Sequence, residues 1–66
     1  MLITVNGKQE NLEIELNILE YIKTKGLNPD AVIVEYNQDI LKKEQWQNFV
    51  LKENDNLEIL RFVGGG

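Results

Sequence analysis

The chain has 66 residues, eleven acidic against seven basic, a net charge of −4, and neither cysteine nor histidine. Such a length allows one small domain, burying only about 60% of its unfolded surface. The missing residue types exclude disulfides, thiolate metal sites, cysteine nucleophiles and imidazole bases. The bases are scattered, with only Lys42 and Lys43 adjacent, so no basic face for nucleic acid is expected. An acidic chain of this size suits a basic face on another protein. No signal peptide is seen, and no apolar run approaches the roughly 20 residues that span a bilayer. No membrane association is expected, and a small fold without disulfides suits the cytoplasm.

Leu2 to Val5 reads as a strand, and Asn6-Gly7 is a strong two-residue hairpin signal, because a type I′ turn needs positive φ at both positions. A second strand is expected from Lys8 to about Leu16. The turn pairs Val5 with Lys8, Ile3 with Glu10 and Met1 with Leu12. That register places Ile3, Val5, Leu12 and Ile14 on a buried face, with Asn11, Glu13 and Glu15 on a wet one. Glu10, Glu13 and Glu15 alternate in face, so they read as solvated carboxylates rather than a metal site.

Asn17-x-x-Glu20 is an N-cap with an acidic third helical residue. Ile18, Leu19 and Ile22 form a short apolar stripe, Lys23 and Lys25 suit the end of the helix dipole, and Gly26 stops the helix. About eight or nine residues are too few for an independent helix, so it must pack on the sheet.

Asn28-Pro29-Asp30 is a turn, and Ala31 to Tyr36 reads as a central strand. Asn37-Gln38-Asp39 turns the chain, Ile40-Leu41 is a short strand, and Lys43 to Asn48 a single helical turn. Trp46 is expected to close the core. Phe49 to Leu51 is expected to be another short strand, Lys52 to Asn56 a polar turn, and Leu57 to Val63 the last strand. Hairpin, helix, strand, short pieces and final strand make an α+β chain with a mixed sheet packed on one short helix. That is the order of the β-grasp, or ubiquitin-like, fold. The domain is expected to occupy residues 1–63, with 64–66 as a flexible tail.

Leu57 and Ile59 alternate to the core, which puts Leu60 and Phe62 on the opposite face with Glu58. Two large apolar residues on a solvent face mark a partner-binding surface. The alternative is that short edge pieces cover them. Beyond them, Gly64, Gly65 and Gly66 have no side chain to pack, so they are expected to project from the strand. Their chemical offering is the carboxylate of Gly66, unshielded by any Cβ and accessible to a narrow channel. Terminal glycines also suit a simple frayed end; the pattern in front of them decides.

That pattern resembles a specific family. Tyr36-Asn37, then Ile40-Leu41-Lys42-Lys43-Glu44-Gln45-Trp46, then Asn54-Asp55 before the last strand and Gly65-Gly66 are similar to the ThiS family, sulfur carriers of bacterial thiamine biosynthesis. The resemblance covers nearly the whole chain. It implies that an E1-like adenylyltransferase of the ThiF type uses ATP to adenylate Gly66. Sulfur transfer then gives a C-terminal thiocarboxylate, and a thiazole synthase of the ThiG type takes the sulfur. The carrier itself would bind no cofactor and no metal. Many relatives have proline and arginine where Lys42 and Lys43 stand, and Asp-Gly-Asp where Glu53-Asn54-Asp55 stands; Asn54 is expected to keep the left-handed turn. The small subunit of molybdopterin synthase shares fold, ending and chemistry, but Glu44-Gln45-Trp46 fits ThiS better. A plain β-grasp binding module is a third reading. A free-standing enzyme lacks any nucleophile–base pair, since serine is absent as well.

Overall fold

Asn6 and Gly7 both adopt positive φ, 52° and 81°, and this turn joins β1 (Leu2–Val5) to β2 (Lys8–Asn11). The computed structural model describes residues 1–62. The hairpin register is the expected one, Val5 opposite Lys8 and Ile3 opposite Glu10.

α1 (Ile18–Thr24) begins with a full capping box. The Glu20 N–H donates to Asn17 Oδ1 at 2.8 Å, and the Asn17 N–H donates to Glu20 Oε1 at 2.9 Å. The helix has seven residues, slightly fewer than expected, and ends before Gly26, whose φ is 74°. Ile18 and Ile22 are buried as expected, and Tyr21 joins them. A 3₁₀ turn at Pro29–Ala31, capped by Asn28, leads into β3 (Val32–Tyr36). Asn37 and Gln38, both at positive φ, turn the chain into β4 (Asp39–Leu41). A 3₁₀ helix over Lys43–Asn48 buries Trp46, whose indole N–H donates to the Leu41 carbonyl at 3.2 Å. β5 (Asn56–Arg61) completes the sheet.

The five strands lie in the order β2-β1-β5-β3-β4. β1 and β5 are parallel and the other pairs antiparallel. β5 is therefore the middle strand, and β3 lies beside it rather than at the centre. The core lies between the sheet and α1, built on Ile3, Val34 and Leu57 from the strands and Ile18, Ile22 and Trp46 from the other side.

Two expectations fail together. β2 stops at Asn11 instead of continuing to Leu16, and Phe49 to Leu51 forms no strand of the sheet. The hairpin pairing among the described residues closes with the Leu12 N–H, which reaches the Met1 carbonyl at 2.8 Å. The chain bends off and instead pairs with the 49–51 segment. Leu51 N–H donates to the Leu16 carbonyl at 2.9 Å, and Ile18 N–H to the Phe49 carbonyl at 3.0 Å. Leu12 and Leu16 still pack against the core, but Ile14 is 66% exposed rather than buried. Val63, the expected end of the last strand, and the glycines at 64–66 lie outside the described residues.

Candidate functional site

β5 presents two chemically different faces. Leu57 and Ile59 are buried toward α1, whereas Leu60 is 59% exposed and Phe62 55% exposed. No edge piece covers them among the described residues. The register sets Leu60 directly opposite Ile33 on β3, and Glu58 opposite Glu35. Glu35 in turn faces Ile40 of β4, another exposed apolar residue. The open side of the sheet thus carries an apolar strip, Leu60, Ile33 and Ile40, bordered by two carboxylates on neighbouring strands. Directly opposed apolar pairs stabilise a sheet modestly, and directly opposed acids oppose it. Such a strip suits an apolar partner face with a cation at its edge.

The strand is held in place at both ends. At its start, Asp55 is only 5% exposed. Its Oδ2 accepts from the Tyr36 hydroxyl and from the Lys52 N–H, each at 2.7 Å, and its Oδ1 from Asn37 Nδ2 at 3.3 Å. Further on, β1 has ended and the Asn6 side chain takes its place. Asn6 Oδ1 accepts from the Ile59 N–H at 2.7 Å, and Asn6 Nδ2 donates to the Ile59 carbonyl at 3.2 Å. The last ladder bond runs from the Phe62 N–H to the Ala31 carbonyl at 2.8 Å. Leu60 is therefore presented on a strand whose backbone is tied on both sides.

These supports were not apparent in the sequence. Asn6 reads as a turn residue, and Asp55 as part of a polar turn and of the family pattern, with no partner indicated for either side chain; their signal was a short polar residue abutting a strand end. Glu10 also departs from the reading of a solvated carboxylate. It faces the helix side, where its carboxylate accepts from the Tyr21 hydroxyl and pairs with Lys25 at 2.5 Å. Burial pushes its pKa up, but the bonds from Lys25 and Tyr21, with the Lys25 charge, outweigh it and hold Glu10 below its ordinary value. The same burial and the adjacent Glu10 carboxylate push the Tyr21 phenol up.

Lys43 pairs with Asp30, which raises its pKa; Lys42 is exposed. Asn54 has φ 70°, so the turn before β5 keeps left-handed geometry without glycine. Among the described residues no group of three or more carboxylates is placed to hold a metal ion. No helix among them is long and apolar enough to cross a membrane. Gly64, Gly65 and Gly66 lie outside the described residues.

Three comparisons agree with this geometry. The sulfur carrier protein ThiS of Bacillus subtilis is 33% identical over 66 residues, spanning 98% of this chain and 100% of that one. The crystal structure of the thiamine biosynthesis protein ThiS from Geobacter metallireducens superposes with a TM-score of 0.85 at 33% identity, over the full length of both chains. A thiazole synthase of Paramagnetospirillum magneticum matches all of this chain at 29% identity, and the chain spans 20% of that protein's length. The fold is the β-grasp, as expected. The ThiS family model matches residues 3–66, a span that takes in all of the sheet but Leu2, the exposed Leu60 and Phe62, and the three glycines, and on that match the chain belongs to the ThiS family.

Proposed function

We propose that this chain is a sulfur carrier of thiamine biosynthesis, a co-substrate rather than a catalyst. A ThiF-type adenylyltransferase joins the Gly66 carboxylate to the α-phosphate of ATP, and pyrophosphate leaves. Sulfur at the sulfide level, as hydrosulfide, then attacks the acyl carbon and displaces AMP, leaving a thiocarboxylate. A ThiG-type thiazole synthase takes that sulfur for the thiazole ring. The chain binds no cofactor of its own; ATP belongs to the partner. Residues 1–63 act as the folded recognition unit and 64–66 as the tail that enters the partner's channel. The work is done in the cytoplasm.

The observation that supports this reading most strongly is the family match running through Gly66, behind a strand that exposes Leu60 and Phe62. A bare backbone at Gly65 and Gly66 passes where a Cβ would collide. The similarity of this chain to one fifth of a thiazole synthase supports the ThiG-type link. Complementation tests the reading. The gene should restore growth without thiamine to a bacterium lacking its own carrier. Rescue of a molybdopterin-synthase defect instead, with none of the thiamine defect, would overturn it.

A further inference from the structure

On the helix side of the sheet a pocket of about 430 Å³ lies open. Its origin is the shortness of α1. Seven residues cover roughly 10 Å at 1.5 Å each, while the six residues of β5 run roughly 20 Å. Gly26, at φ 74°, then turns the chain away. The end of the sheet beyond the helix is left open. Its floor is apolar: Val5, Leu27, Ile59 and Tyr21.

The inward positions at this end break the apolar alternation. Lys8 stands opposite Val5, and Arg61 follows Leu57 and Ile59 in the inward series. With Lys25, three of the chain's seven basic residues line this one pocket, against one of its eleven acids, Glu10. Glu10 is already taken by Lys25 and the Tyr21 hydroxyl. Lys8 and Arg61 form no ion pair among the described residues. A chain of net charge −4 therefore holds a local cationic pocket over an apolar floor. Charges that break the apolar alternation at an uncovered sheet end stay solvated and are free to serve recognition.

We infer that this pocket receives an acidic side chain of the adenylating partner, carried beside an apolar side chain that fills the floor. The inference rests on the carrier reading. Arg61 directly precedes Phe62, so the pocket and the Leu60 and Phe62 surface lie on opposite faces of the same strand end. A partner that encloses the strand leading to Gly66 meets both. The chain's net charge of −4 disfavours an acidic group in general, and the local excess of cations attracts one here, so the pocket biases the direction of docking.

The test is binding of Lys8→Gln/Arg61→Gln to a ThiF-type adenylyltransferase across a salt series, with Leu60→Ser as the comparison. Both charges are exposed, so circular dichroism and melting temperature should be unchanged. The double variant should bind about tenfold more weakly or worse, with a flatter salt dependence. Lys8→Arg/Arg61→Lys should bind as the parent does. Unchanged affinity and salt dependence in the double variant, while Leu60→Ser still weakens binding, would overturn the pocket and leave the carrier reading standing. Shifts of the pocket's NMR signals with inorganic phosphate, at unchanged enzyme affinity, would assign it to free anions and equally overturn docking. If the parent itself neither binds nor is loaded, the carrier reading falls and takes this inference with it.

Discussion

The Tyr36 hydroxyl donates to Asp55 Oδ2 at 2.7 Å, and through this bond β3 holds the start of β5. The same carboxylate accepts from the Lys52 N–H at 2.7 Å. Asn37, next to Tyr36, reaches across as well, its Oδ1 accepting from the Asn56 N–H at 2.8 Å. Burial and the Asp55 bond raise the Tyr36 pKa, and the nearby Lys52 offsets part of that rise.

Asp55→Ala should therefore destabilise the chain by about 1–3 kcal/mol, because it leaves a buried hydroxyl and a backbone N–H without their acceptor. Urea denaturation measures it. Tyr36→Phe should cost less, and the double variant less than the sum, since both remove one interaction.

The turn at Asn54 offers a second check. Its φ of 70° is costly for a β-branched residue, so Asn54→Val should lose roughly 1–2 kcal/mol. Asn54→Gly should be nearly neutral in the same denaturation experiment.

Acid should act through Glu10. Its folded pKa lies below the ordinary 4.5. Its contribution is thus fully present above about pH 4.5 and is lost as the pH falls through the depressed value. The stability gap between the parent and Glu10→Gln should be constant near neutrality and narrow below pH 4.5. A gap that widened on acidification would contradict the Tyr21–Glu10–Lys25 arrangement.

Leu60 and Phe62 should matter for docking far more than for folding. Both are more than half exposed, so Leu60→Ser/Phe62→Ser should change stability by about 0.5 kcal/mol or less. Binding to the adenylyltransferase should fall substantially, read by calorimetry. A double variant that unfolds would show that these side chains serve the fold instead.

Much of this arrangement was legible because local chemistry and tertiary packing agree. Asn6-Gly7 sets the hairpin register by its own geometry, and Asn17 with Glu20 starts the helix by bonds confined to four residues. The exposure of Leu60 and Phe62 follows from period-two alternation alone. What was not legible depends on distant partners. Glu10 looks like a solvated carboxylate until α1 brings Tyr21 and Lys25 above it. Residues 12–16 continue an alternating pattern, but the sheet provides no neighbouring strand there, and Phe49 to Leu51 serves the helix entrance instead. Asp55 sits in a polar loop whose burial is decided by Tyr36 and Asn37, eighteen or more residues away.

The central claim is that Gly66 carries the working group. The direct measurement is the intact mass of the chain, and of its C-terminal peptide, after incubation with a ThiF-type adenylyltransferase, ATP and a sulfur source. The predicted result is replacement of one oxygen by sulfur at Gly66. It should be lost when one residue is added after Gly66, since this moves the carboxylate by roughly 3.5 Å while leaving residues 1–62 folded. An enzyme competent on its own carrier that yields neither adenylate nor thiocarboxylate here would contradict the account, as would an extended chain that loads at the parental rate without being trimmed.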